Sequence, residues 1–275
     1  LIALALRTTC MPGETVVCTA GTYPTFGYFA KGQGCRLIEP SYFEAPGVLA
    51  PDLEALAATA HQESARLVYL ANPDNPSGHL HSDNAILKLR EALPDTCWLL
   101  LDEAYGDFRD DANSEFAGKA IPGVIRLRTL SKAHGLAGLR IGYAIAAPEV
   151  LTMMMKVRIH YAVSSLTLAA AEVVLDHPDE VHQHVTDVKA RREQLAEHFR
   201  ALGADVLPSA TNFIGIRLPS ADLAAEVHQQ LLAEGVLVAR LAHPELANVI
   251  RITAVQAALE PGRLAALEQA IKEHA

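Results

Sequence analysis

No apolar run in the sequence reaches the roughly 18 residues that a membrane-spanning helix requires, which argues against a membrane protein. Basic blocks are missing too. The 23 Lys and Arg are outnumbered by 32 Asp and Glu, and the net charge of −9 disfavours a phosphate-backbone footprint and so a nucleic-acid partner. Cysteine is scarce: four residues, at 10, 18, 35 and 97, form no CxxC pair and are too few to staple 275 residues, so reduced thiols in the cytoplasm are expected. The opening LIALALRTTC has no basic flank and only six apolar residues, which disfavours a targeting peptide. Neither an initiator Met nor an N-cap precedes Leu1, so the segment reads as a buried helix whose beginning lies upstream. There is no repeat and no low-complexity linker.

What is present is half hydrophobic and one-fifth charged, enough for a sizeable core in one large or two modest domains. The short apolar runs TVVCTA, RLVYLA, CWLLLDEAY, VIRLRTL and LRIGYAIA read as strands alternating with helical patterns such as 83–93, the signature of a mostly parallel sheet covered by helices. Residues 149–175 and 178–202 read as long helices, the second opening at Pro178 and closing on Gly203. Beyond them TNFIGIRL, a helix from 222 to 234, GVLVAR, NVIRITA and a helix after Pro261 lack strict βαβ order and suggest a smaller α+β domain. The expected division is 1–165 and 166–275.

In open α/β sheets, ligands gather at the carboxyl ends of strands. Three polar clusters fall there: NPDNPSG after RLVYLA, DEAY after CWLLL, and SK after VIRLRTL. Lys132 lies between apolar runs, so its environment should lower its pKa, and a neutral amine is competent to form a Schiff base with an aldehyde. Taken singly, NPDNPSG is a proline-fixed loop with Asx turns, DEAY a strand end and helix cap, and the lysine stretch a glycine loop.

Together and in this order, the clusters resemble those of fold type I pyridoxal-phosphate enzymes, specifically class I/II aminotransferases of the histidinol-phosphate aminotransferase branch. The resemblance covers the whole chain and implies a large, mostly parallel, seven-stranded-type sheet with helices on both faces plus a smaller α+β domain. It implies pyridoxal 5'-phosphate as cofactor, with Lys132 matching the lysine that holds it as an internal aldimine. Asp102 matches the carboxylate that keeps the pyridinium nitrogen protonated, so that the ring accepts electrons. Asn75 and Tyr105 match the groups that bond its phenolic oxygen. Thr129, Ser131 and Arg140 match its phosphate ligands, the last offering a bidentate fork. Phe26 matches the aromatic residue stacked on the ring, the alternative being a plain core phenylalanine. Arg251 matches the arginine that binds the substrate α-carboxylate. The implied reaction is ping-pong transamination between an amino donor and a 2-oxo acid such as 2-oxoglutarate, in a homodimer. The resemblance also implies an N-terminal truncation, since in the family a glycine-containing turn before the first helix holds the cofactor phosphate and a preceding segment sends a tyrosine across the dimer interface.

The chain departs from the family pattern in places. Ser77 stands where threonine is common, and His134 where an aromatic residue is common, either tuning the cofactor edge or serving structure. In GVLVAR, Ala239 occupies the place of the arginine that binds a substrate phosphate, and Arg240 comes one residue later, on the opposite face of a strand unless a bulge intervenes. A phosphate-free donor, aromatic or aliphatic, is therefore preferred. His79 with His81 and His182 with His184 complete no four-ligand set, so no metal is expected. Asp107, Asp110 and Asp111 read as a solvated loop. A decarboxylase acting on an amino-acid phosphate would share the same cofactor site. An aminotransferase-like sensor domain of a transcription regulator and a catalytically dead fragment are further alternatives.

Overall fold

The computed structural model describes residues 1–109, 116 and 118–272. Asp110 and Asp111 lie outside the described residues. The helices are α1 (Ile2–Thr9), α2 (Pro24–Gly32), α3 (Leu53–Gln62), α4 (Asp83–Ala92), α5 (Pro148–Val157), α6 (Ser165–Leu175), α7 (Pro178–Ala201), α8 (Ala221–Ala233) and α9 (Pro261–Lys272). The strands are β1 (Thr15–Cys18), β2 (Arg36–Ile38), β3 (Tyr42–Ala45), β4 (Val48–Pro51), β5 (Leu67–Ala71), β6 (Trp98–Asp102), β7 (Val124–Thr129), β8 (Gly142–Ile145), β9 (Asp205–Leu207), β10 (Phe213–Arg217), β11 (Ala239–Arg240) and β12 (Val249–Thr253).

The main sheet has the order β2-β1-β5-β6-β7-β8, parallel except for β8. Among the described residues it has six strands where the sequence suggested a seven-stranded type. Its central strands are continuous apolar runs because both faces are covered. Along β5, Leu67, Tyr69 and Ala71 pack with Leu6, Phe26 and Met154 from α1, α2 and α5. Val68 and Leu70 point the other way, to Leu56 of α3 and Ile86 of α4. At roughly 25 cal/mol per Å², each buried Leu, Val, Ile, Phe or Met among them contributes about 1.5–3 kcal/mol. Asp52 and Ser82 cap α3 and α4, accepting from the N–H groups of Ala55 and Ala85.

A second, antiparallel sheet has the order β11-β12-β10-β9. Its core joins Ile214, Ile216, Ile250 and Ile252 to Phe199 of α7, Leu231 of α8 and Leu267 of α9.

Two expectations change. Residues 149–175 form two helices, α5 and α6, rather than one. Arg158 is extended, Tyr161 has φ +57°, and Ser164 starts α6 by accepting from Thr167 N–H at 3.1 Å. GVLVAR forms a ladder only at Ala239 and Arg240.

β7 and β8 are joined by a closed loop. Thr129 faces Gly142 across the ladder, Leu130 N–H donates to Ile141 O at 3.1 Å, and Leu136 N–H donates to Leu130 O at 2.9 Å. Lys132 and Arg140 both lie in that loop.

Candidate active site

The strand register brings three strand ends side by side, with Ala71 next to Asp102 and Asp102 next to Leu127. Beyond them opens a cavity of about 420 Å³ whose wall includes Asn75, Asp102, Tyr105, Thr129, Ser131, Lys132 and Arg140. Seven of the expected residues therefore meet at one place.

Lys132 is half-buried, with Nζ 5.2 Å from the centre of the Tyr105 ring. Burial lowers its pKa, and the Arg251 and Arg140 charges act in the same direction against Tyr23 and Asp102. Asp102 lies on the buried side of the cavity: Oδ1 accepts from Ala104 N–H at 3.1 Å and Oδ2 from the Tyr69 hydroxyl at 3.0 Å. Burial raises its carboxyl pKa, and these two hydrogen bonds oppose the rise. Tyr105 meets Phe213 edge to face at 5.4 Å, and burial pushes its phenol up to about 12. It stays a neutral donor.

The rim is made of hydroxyl and guanidinium groups. Thr129 Oγ1 donates to Ser131 Oγ at 2.9 Å and accepts from Ser131 N–H at 3.1 Å. Arg140 holds φ +53°, a conformation uncommon for any residue but glycine, and donates through Nη1 to Ala137 O at 2.8 Å. The loop carrying Asn75 is fixed by Asp74, which is fully buried. Its carboxylate accepts from Tyr42 OH at 2.9 Å, Ser77 OH at 2.7 Å and Ser77 N–H at 3.1 Å. Ser77 thus turns its hydroxyl to the loop.

Arg251 borders a second cavity of about 650 Å³, which shares Tyr23 and Asn75 with the first. Its guanidinium lies over the Phe213 ring at 4.7 Å and donates through Nη1 to Asn75 Oδ1, joining the second sheet to the β5 loop. Its Nε is buried without a partner, so one donor is left for an anion. Ala239 faces Arg251 across the β11–β12 ladder, while Arg240 faces Ile250, is exposed, and also contributes to the wall of the second cavity.

Phe26 does not have its expected position. The ring is 0% exposed and stacks on Tyr69 at 4.4 Å with 12° between planes, behind the cavity wall. Tyr23, one turn earlier at the start of α2, borders both cavities instead. Sequence reasoning also missed Tyr69. The available signal was a phenol in an otherwise aliphatic buried strand, which needs a partner for its hydroxyl. Asp107 is ion-paired with Arg128 rather than only solvated, and His134 Nδ1 is buried without a partner. Glu103, beside Asp102, is bound by buried Arg126 through Nε at 2.9 Å and Nη2 at 3.1 Å. Arg126 Nη1 also ties down Phe116 O and Lys119 O at 2.5 and 2.8 Å.

A mostly parallel sheet with an amine, a carboxylate and a hydroxyl–guanidinium rim at its strand ends, beside a small antiparallel sheet, is the fold type I architecture of pyridoxal-phosphate enzymes. The chain belongs to the aminotransferase class I and II family, whose model matches residues 1–271. It is 42% identical over 194 residues to an aromatic amino acid aminotransferase of Nocardia farcinica, an alignment covering 69% of this chain and 53% of the relative. It is 31% identical over 277 residues to histidinol-phosphate aminotransferase 2 of Ralstonia nicotianae, covering 99% and 73% respectively. Histidinol-phosphate aminotransferase from Sinorhizobium meliloti, solved in complex with pyridoxal-5'-phosphate, superposes with a TM-score of 0.88 at 33% identity, covering 99% of this chain and 73% of that one. The chain thus spans about half the length of the first of these relatives and about three-quarters of the other two.

Proposed function

We propose that this chain forms the body of a pyridoxal-5'-phosphate-dependent aminotransferase, moving an amino group from an amino acid to a 2-oxo acid such as 2-oxoglutarate by a ping-pong route. The observation that carries the reading is one cavity combining the half-buried amine of Lys132, the buried carboxylate of Asp102 and the rim of Thr129, Ser131 and Arg140. These residues fit the cofactor chemically: a carboxylate for a protonated ring nitrogen, Asn75 and Tyr105 for a phenolic oxygen, hydroxyls and a guanidinium for a phosphate. When bound, the cofactor supplies an electron sink for charge developing at the substrate α-carbon. Lys132 Nζ, its pKa lowered by burial, takes the α-proton and returns it. Arg251 holds the α-carboxylate, with its free Nε–H as the waiting donor.

The amino donor is read as phosphate-free, since Ala239 leaves no guanidinium on the strand face of Arg251. A second reading, histidinol phosphate, is favoured by Arg240 on the second cavity's wall. We further infer a homodimer, supported by exposed apolar side chains around the break between α5 and α6, among them Ile159 at 66%, Tyr161 at 96% and Leu166 at 74%. The inferred domain division is 1–165 and 166–275. The inferred compartment is the cytoplasm, supported by four buried, free cysteines. The test is competition between phenylalanine, tyrosine, aliphatic amino acids and histidinol phosphate in the intact protein. A higher kcat/KM for a free amino acid is expected. A much higher value for histidinol phosphate overturns the donor assignment and means that Arg240 reaches the site.

A further inference from the structure

We propose that Tyr69 is a positioning residue for Asp102, held in place by the ring of Phe26; this rests on the reading that Asp102 meets the cofactor's ring nitrogen. Tyr69 and Asp102 lie on neighbouring parallel strands, and Tyr69 is two residues before Ala71, the direct neighbour of Asp102. That diagonal offset lets a long side chain reach across. The phenol does so, with its oxygen 3.0 Å from Oδ2.

The other carboxylate oxygen is served by the backbone N–H of Ala104 at 3.1 Å. Each oxygen thus receives one donor from a fixed element, and the carboxylate plane is set before any cation arrives. Preorganised charge is worth more than charge that must reorient. Tyr69 is only 1% exposed, so an unpaired hydroxyl there would be costly, and Asp102 is the hydrogen-bond partner it has. Phe26 lies flat against its ring at 4.4 Å and stops it from swinging out. Burial and the nearby Asp102 charge push the Tyr69 phenol well above 10, so it remains a donor at any working pH. Phe26, the ring expected to touch the cofactor directly, acts from one layer behind Tyr69, which itself borders the cavity.

The experiment uses Tyr69→Phe, which removes only a hydroxyl, alongside Phe26→Leu and Asp102→Ala, all in the intact protein. Cofactor affinity is read by absorbance titration, and the bound chromophore is titrated against pH. Tyr69→Phe should weaken pyridoxal 5'-phosphate by about ten-fold, the scale of one hydrogen bond to a charged group. It should also shift the pH profile of the chromophore and lower kcat while leaving KM for the amino donor unchanged. Phe26→Leu should move the same readouts in the same direction by a smaller factor. In the Asp102→Ala background, adding Tyr69→Phe should change affinity less than about two-fold, because nothing is left to orient. Wild-type affinity and pH profile in Tyr69→Phe overturn the proposal. So does a ten-fold loss that persists without Asp102, which assigns Tyr69 to cavity shape. If Asp102→Ala alone binds cofactor normally, the reading of Asp102 fails and the inference falls with it. A loss in Asp102→Ala with none in Tyr69→Phe sinks the inference alone.

Discussion

Replacing Asp102 by Asn separates what the carboxylate is proposed to do for the cofactor from what it does to the fold. Asn keeps the shape: its Oδ1 still accepts from Ala104 N–H, and the Tyr69 hydroxyl can rotate to accept from the amide. Only the charge is lost. Burial raises the Asp102 pKa in the cofactor-free protein, so the native state binds that proton more tightly than the unfolded chain. Stability from this group is therefore fully present below the unfolded value of roughly 4, and is lost as pH rises through the folded pKa. Asn has no such loss. Burying an imperfectly compensated polar group costs about 1–2 kcal/mol, so above the folded pKa the Asn variant should melt about 2–8 °C higher without cofactor. The difference should shrink as pH falls toward 4. Catalysis moves the other way. Two unit charges about 4 Å apart at an effective dielectric near 20 interact by ~4 kcal/mol, so losing the counter-charge should slow transamination by roughly 10²–10³-fold while cofactor remains bound. Thermal melts of both cofactor-free proteins from pH 4 to 8, with single-turnover rates at pH 8, decide the matter. An Asn variant melting at or below wild type at pH 8 refutes the buried-charge reasoning, and near-normal turnover refutes the role at the ring nitrogen.

Lys132→Ala should abolish the cofactor that borohydride traps on the chain, because among the described residues Lys132 is the lysine lining the cavity, at its β7 end; peptide mapping that finds trapped cofactor on another lysine would sink the assignment. Arg126→Met leaves the buried Glu103 carboxylate without its guanidinium and should destabilise by about 3–5 kcal/mol, seen as a lower denaturation midpoint at unchanged slope. Adding Glu103→Leu should recover most of that loss, and a single variant within about 1 kcal/mol of wild type would show the pair to be dispensable.

The polar clusters were legible because each follows an apolar run too short for a helix and too continuous for a half-exposed strand. The runs became β5, β6 and β7, and the clusters fell at their ends. Orientation was less legible. Tyr23 and Phe26 lie one turn apart at the start of α2, and their spacing does not reveal which ring faces the cavity; packing against Tyr69 draws Phe26 inward. The break at 158–164 is hidden in the sequence because apolar residues run through it at helical spacing, and nothing there distinguishes the cap Ser164 from any other serine. β2, β3 and β9 are three- and four-residue strands of mixed exposure, with too few residues to show a period.

The loop between β7 and β8 is closed at its neck by the ladder, so the span from Lys132 to Arg140 is contained within one ring of chain belonging to the main sheet. Arg251 is carried by the other sheet and meets the first through Asn75. Under the proposed roles, a rigid displacement of the second sheet alters the grip on a carboxylate while leaving the spacing of the amine and the proposed phosphate ligands untouched. In mechanical language, the anchor and the clamp are mounted on different frames. The proposed ping-pong cycle would call for that separation, since one molecule must stay through many turnovers while two others are taken up and released in each.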